Sequence, residues 1–250
     1  MISIIIPTLN EEQALPPLLD AIRRQGADHE VIVADGGSED RTVATALDHG
    51  LRTLLSLPGR GNGMCAGAKE AAGDVLLFLH ADSILLPGAL RRINEVLSAD
   101  PEIIGGNFRL VFDGDTPFSR WLTRSYARLR AIGIYYGDSG IFVRRSVYEA
   151  LGGFRPIALM EDLDFVRRLE RFGQTHCIRD PHLITSSRRF EQRHPLQMLQ
   201  VWIWLHLRFW VGASPDRLAE FYSTQAPRPK IARKRPGPER LCDAGGRNDR

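Results

Sequence analysis

Short, fully apolar runs alternate with amphipathic segments along the first hundred residues. Ile2–Ile6 ends at Pro7, and Val31–Ala34 ends at Asp35-Gly36-Gly37. Leu51–Leu57 is a weaker run and Val75–Leu79 a strong one. Runs without polar alternation predict strands buried on both faces, hence a parallel sheet covered by helices. The segments between them predict helices at residues 11–25, 39–49, 62–72 and 87–99. Asn10 ahead of Glu11-Glu12, Ser38 ahead of Glu39-Asp40, and Pro87 supply the helix-start signals.

Past residue 100 the rhythm changes. Ile103–Phe112 reads as a strand, Pro117–Ile132 as a helix, and Gly140–Val143 as a short strand. A helix is expected at 160–172, strand pieces at 175–179 and 183–187, and helices near 195–211 and 214–222. The fold class is therefore α/β: a mostly parallel, nucleotide-binding sheet sandwiched by helices, with further helices on its C-terminal side. Residues 1–99 form one half of a single domain and 100–225 the other. From Ala226 onward Pro, Gly and basic residues dominate without an apolar period, which predicts a disordered tail over 226–250.

Composition changes this picture in one respect. With 43% hydrophobic and 25% charged residues in 250, the chain is neither fibrous nor wholly disordered. The formal charge of +3 is unevenly placed. Residues 226–250 carry eight basic side chains against three acidic ones, leaving the first 225 residues at −2. A slightly acidic body argues against a nucleic-acid partner. Cys65, Cys177 and Cys242 are scattered and odd in number, which excludes a disulfide framework or a structural zinc cluster. No apolar run reaches the ~18 residues of a spanning helix, and the N-terminus lacks the pattern of a secretory signal. The expectation is a cytoplasmic protein. Leu199–Val211, with Trp202, Trp204, Phe209 and Trp210, reads as a core helix, as a peripheral anchor at the inner membrane face or as part of a lipid-acceptor channel.

Ligands of open parallel sheets bind outside the carboxyl ends of the strands. Here those ends carry Pro7-Thr8-Leu9-Asn10-Glu11-Glu12, Asp35-Gly36-Gly37-Ser38 and His80-Ala81-Asp82. Asp35 is placed either to accept from a ribose hydroxyl or to close its own turn. The absence of glycine between Pro7 and Glu12 excludes a dinucleotide fingerprint. Asp82 suits a divalent cation bridging to a diphosphate, or a simple turn cap. Arg60, in Gly59-Arg60-Gly61-Asn62-Gly63, suits a phosphate or a solvated loop. Glu161, Asp162 and Asp164 crowd one helix start, where the helix dipole accounts for some acids and a general base for another.

Taken in order, four segments resemble family 2 glycosyltransferases. They are Ile4–Glu11 (I-I-I-P-T-L-N-E), Val33–Thr42 (V-A-D-G-G-S-E-D-R-T), Gly73–Asp82 (G-D-V-L-L-F-L-H-A-D), and Gly152-Gly153-Phe154 followed by Glu161–Asp164 (E-D-L-D). The resemblance spans residues 2–190 and suggests a small bacterial-type subgroup. Some of its members are tied to arsenosugar biosynthesis, and relatives act on carotenoid or other lipid acceptors. It implies a GT-A fold, a nucleoside-diphosphate sugar donor (a UDP-sugar first), Mg2+ or Mn2+, and inversion at the anomeric carbon. By the same resemblance Pro7, Thr8, Asn10 and Glu11 belong to the nucleotide-sugar pocket, Asp35 and Gly36 to the base or ribose, and Arg60 to the diphosphate. Asp82 stands at the last position of a D-x-D-like motif, with His80 replacing its first aspartate as a candidate ligand. Asp162 takes the place of the general base. Arg188 or Arg189 stands where relatives carry a late basic motif. The Q-x-x-R-W motif of processive synthases is absent, so one transfer per acceptor is expected. The acceptor is a small molecule or a lipid, and Trp121, Tyr126, Tyr135 and Tyr136 read either as groups that stack on a ring or as helix-packing aromatics. A non-catalytic nucleotide-sugar-binding protein is the competing reading.

Overall fold

A computed structural model describes residues 1–187 and 195–225. The first half alternates β1 (Ile2–Thr8), α1 (Leu15–Arg23), β2 (His29–Asp35), α2 (Thr42–Asp48), β3 (Arg52–Leu55), α3 (Arg60–Glu70) and β4 (Val75–Phe78). There follow β5 (Ser83–Leu85), α4 (Ala89–Ala99), β6 (Ile103–Phe112), α5 (Pro117–Ala131), a single turn at Gly137–Ser139, β7 (Ile141–Arg144) and α6 (Arg145–Ala150). The chain continues through α7 (Glu161–Phe172), β8 (Gln174–Thr185), α8 (Pro195–Trp210) and α9 (Pro215–Gln225).

The eight strands form one sheet in the order β3-β2-β1-β4-β7-β6-β8-β5. β3, β2, β1 and β4 run parallel, as the apolar runs predict. The strand β7 lies antiparallel to both β4 and β6, so the sheet is mixed. Both faces are covered. Ile2, Ile4 and Ile6 pack with Leu15, Leu18, Leu19 and Ile22 of α1 and with α4. Ile5 points the other way, to Met64 of α3 and Phe165 of α7. Burying such a side chain contributes about 1.5–3 kcal/mol; the one polar residue within the run, Ser3, is buried with its hydroxyl bonded to Glu30 and to the Gly73 amide.

Several element boundaries differ from the sequence expectation. Helices α1 and α2 begin at Leu15 and Thr42, so neither Asn10 nor Ser38 caps a helix. Their hydrogen bonds instead tie the two loops to each other, a long-range pairing that local pattern cannot register. The expected pieces 175–179 and 183–187 form one strand, β8, because both pair with β6, with two register shifts along the ladder. Strand β5 and helix α6 were not anticipated; both are too short to show a period.

Candidate active site

Strands β1 and β2 are in register through Thr8 opposite Asp35. That register lets Thr8 Oγ1 donate to Asp35 Oδ1 at 2.9 Å. Asp35 also accepts from Ser38 Oγ at 2.5 Å and from the amides of Gly37 and Ser38 at 3.0 and 2.7 Å. Burial alone would raise the Asp35 pKa, but these donors hold it below the usual carboxylate value. Asn10, at φ 56°, donates its amide to Ser38 Oγ and accepts from the Glu39 amide. Asp35 and Asn10 thus fasten the two strand-end loops, while Pro7, Thr8, Glu11 and Gly36 line the cleft they enclose.

This cleft has a volume of ≈ 520 Å3. Arg60 enters it from the start of α3, and Arg60 Nε lies 2.5 Å from Glu161 Oε1. Helix α3 reaches that position because it lies directly on the sheet. A Cβ on Gly63 would sit 3.0 Å from Pro7 Cβ, and one on Gly67 would overlap Ile5. Burial would lower the Arg60 pKa, but the negative charges of Glu161 and Asp162 outweigh it and keep the guanidinium firmly charged.

His80 and Asp82 follow β4 and line the same cleft. Among the described residues no three His, Cys, Asp or Glu gather into a metal-binding group. One carboxylate and one imidazole suit a cation that draws its remaining oxygens from a diphosphate. Across from them is Asp162, only 6% exposed. Its Oδ2 accepts from the Gly137 amide at 2.9 Å and its Oδ1 from the Leu163 amide at 2.8 Å. Met160, immediately before this pair of acids, adopts the left-handed φ of 66°. Held there, the backbone turns both Glu161 and Asp162 into the cleft. Gly137 lies between the two walls, for a Cβ there would stand 2.8 Å from His80 Nε2 and 3.3 Å from Asp162 Oδ2.

The far half of the cleft is apolar. Phe112, Tyr126, Leu129, Trp202 and Leu205 line it, with Tyr136 and His206 between them and the acids. His206 Nδ1 lies 2.7 Å from the Trp202 carbonyl, to which it donates, and its Nε2 lies 2.9 Å from the Tyr136 hydroxyl. Burial, then Asp162 and Asp138, push the Tyr136 phenol well above its ordinary value. Of the four aromatics singled out in the sequence, Tyr126 and Tyr136 reach the cleft. Trp121 is 41% exposed and stacks on Phe118, while Tyr135 is buried beneath Arg130. Trp202, one of the tryptophans singled out in Leu199–Val211, lines the cleft, while Asp138 and His206 were missed as site residues, since each is brought in by a loop or helix with no local motif. Arg188 and Arg189 lie outside the described residues.

The sequence profile of Glycosyl transferase family 2 matches residues 3–152. The chain belongs to that family. It is 30% identical over 171 residues to an undecaprenyl-phosphate 4-deoxy-4-formamido-L-arabinose transferase of Pseudomonas paraeruginosa, covering 60% of this chain and 49% of that protein. The O-antigen chain rhamnosyltransferase RfbN of Salmonella typhimurium is 28% identical over 218 residues, covering 76% and 69%. This glycosyltransferase-family chain thus spans about half the length of the first of these relatives. Among solved structures, S. aureus TarS 1-349 in complex with UDP-GlcNAc matches with a TM-score of 0.61 at 17% identity, over 74% of this chain and 58% of that one. The mannosyltransferase PcManGT from Pyrobaculum calidifontis, in complex with GDP-Man and Mn2+, matches with a TM-score of 0.58 at 21% identity, over 74% and 56%. These likenesses establish the GT-A fold. Among the described residues no helix is long and apolar enough to cross a membrane.

Proposed function

We propose that residues 1–225 form one catalytic unit that transfers a single sugar from a nucleoside-diphosphate sugar, with UDP-sugars the first class to test, to a hydroxyl of an acceptor with an apolar body. The observation that carries this reading is convergence. Arg60, Asp82 and Asp162 come from separate stretches of chain and line one cleft at the carboxyl ends of β1, β2 and β4. Pro7, Thr8 and Gly36 border the nucleotide end, on a frame made rigid by Asp35 and Asn10. Arg60 meets the diphosphate with a permanent positive charge. Asp82 and His80 would hold Mg2+ or Mn2+, whose charge supports departure of the diphosphate when bound.

Asp162 acts as general base. It takes the acceptor proton as the acceptor oxygen bonds to the anomeric carbon and the bond from that carbon to the diphosphate breaks. Direct attack inverts the anomeric centre. The buried amides of Gly137 and Leu163 fix the carboxylate orientation. The wall of Tyr126, Trp202 and Leu205 supports an acceptor with an apolar or aromatic body, a class that includes lipids.

A panel of UDP- and GDP-sugars with Mn2+, read by thermal shift, identifies the donor. Asp162→Asn then abolishes nucleotide release while keeping that shift, and Asp82→Ala loses its Mn2+-dependent part. No shift with any donor, or full turnover in Asp162→Asn, overturns the assignment.

A further inference from the structure

The apolar half of the cleft is walled by α5 and α8, through Tyr126 and Leu129 on one and Trp202 and Leu205 on the other. Six of the exposed large hydrophobic side chains among the described residues lie on these two helices or directly after them. On α8 and the residue after it, Ile203, Leu207, Trp210 and Val211 are 51%, 63%, 56% and 78% exposed. Their spacing of four, three and one places them in a single stripe along the helix. On α5, Arg120, Arg124 and Arg128 are exposed at successive spacings of four, with Trp121 beside them and Ile132 71% exposed at the helix end. Like charges four apart destabilise a helix. Among the described residues only Arg120 of the three has an ion-pair partner, Asp115 at 2.5 Å. Neither α5 nor α8 contains a single Asp or Glu.

An exposed apolar stripe, tryptophans at its edge and arginines without acids are the composition of a surface that lies in a lipid interface. Arginines lie over two of the tryptophan rings, Arg208 on Trp204 and Arg167 on Trp210, with charge beside the apolar area as a headgroup layer requires. A protein partner of matching charge would need an acidic face with an apolar centre; an anionic bilayer supplies both at once. Residues 226–250, expected from the sequence to be a disordered tail, lie outside the described residues and carry a net +5.

We infer that the outer faces of α5 and α8 form a docking surface for an anionic lipid bilayer, at the apolar end of the cleft. The surface rests on the sugar-transfer reading only for its use, which is to present the cleft to acceptors carried in the membrane. Docking itself is independent of catalysis.

The test is co-flotation of the full chain with vesicles of phosphatidylcholine alone or mixed with phosphatidylglycerol. Wild type floats with the mixed vesicles and is released by high salt. Leu207→Gln/Val211→Ser, at positions exposed enough to leave the fold intact, reduces binding about tenfold or more. Arg124→Gln/Arg128→Gln reduces it about fivefold per arginine. Asp162→Asn floats as wild type, so a failed sugar-transfer reading leaves this result standing. Flotation unchanged in both double variants assigns binding to residues 226–250 and overturns the inference. So does failure of wild type to float, or concentration-dependent dimerisation abolished by Leu207→Gln/Val211→Ser without lipid.

Discussion

Gly137→Ala is the most informative single perturbation of this cleft. Gly137 does not adopt a left-handed φ, so alanine meets no backbone penalty and the effect is steric. The new methyl would stand 2.8 Å from His80 Nε2, whereas ordinary contact begins at 3.4 Å, so the imidazole must retreat by 0.6 Å or the loop must move with it. Asp162 Oδ2, at 3.3 Å, is pressed at the same time, and its hydrogen bond comes from the amide of this very residue. Overpacking of this size costs about 1–3 kcal/mol, or roughly 2–12 °C in Tm for a chain of this length. Misplacing reacting groups by part of an ångström costs roughly 10–100-fold in rate. Arg60 and Thr8 are not touched, so donor affinity without metal stays near wild type, while the Mn2+-dependent part falls with the displaced His80. The assay is nucleotide release from the donor selected by thermal shift, with Tm and donor Kd measured on the same sample. Wild-type turnover in Gly137→Ala would refute the claim that His80 and Asp162 face one reaction centre across this glycine. Loss of metal-free donor binding together with turnover would refute the division of the cleft into a donor side and a base side.

Further outcomes follow from the same contacts. Glu161→Gln removes the carboxylate from a 2.5 Å pair with Arg60, whose side chain is 33% exposed. Because that exposure screens the pair, the loss in unfolding free energy is about 1–3 kcal/mol by denaturant titration rather than the ~3–5 kcal/mol of a fully buried pair; an unchanged midpoint would contradict it. The Asp35 carboxyl has a folded-state pKa below its unfolded value. Its contribution is therefore fully present above the unfolded value of ~4 and fades as pH falls through the lower folded one. Asp35→Asn should lower stability at neutral pH by about 1–3 kcal/mol and flatten the acid limb below pH ~4. An acid limb identical to wild type would show that Asp35 does not carry it. Tyr136→Phe removes the hydroxyl from His206 Nε2 and from the boundary between the acids and the apolar wall. It should raise the KM for acceptor more than it lowers kcat, and should leave donor Kd unchanged; the opposite split would place Tyr136 on the donor side.

The strand-end side of the cleft was legible in the sequence because its signals are local. Val31–Ala34 and Val75–Leu79 are wholly apolar, and Ile2–Ile6 is apolar but for Ser3, a pattern that a parallel sheet covered on both faces accommodates. The residues directly after such strands must line the rim where ligands bind, so Thr8, Gly36, His80 and Asp82 follow from strand ends alone. Tertiary structure decided what each rim residue does. Asp35 and Asn10 carry the same local signature as Asp82, yet the register of β1 on β2 turns Asp35 toward Thr8, and Asn10 into a tie with Ser38 and Glu39. Glu161 and Asp162 are adjacent in sequence, but the packing of α3 against the sheet gives Glu161 to Arg60 and leaves Asp162 to the Gly137 amide. Asp138, Trp202 and His206 join the cleft across long stretches of chain, and no periodicity encodes a contact whose partner is remote. Composition set which groups were available at the strand ends; close packing, which admits one arrangement of helices on the sheet, set which of them meet.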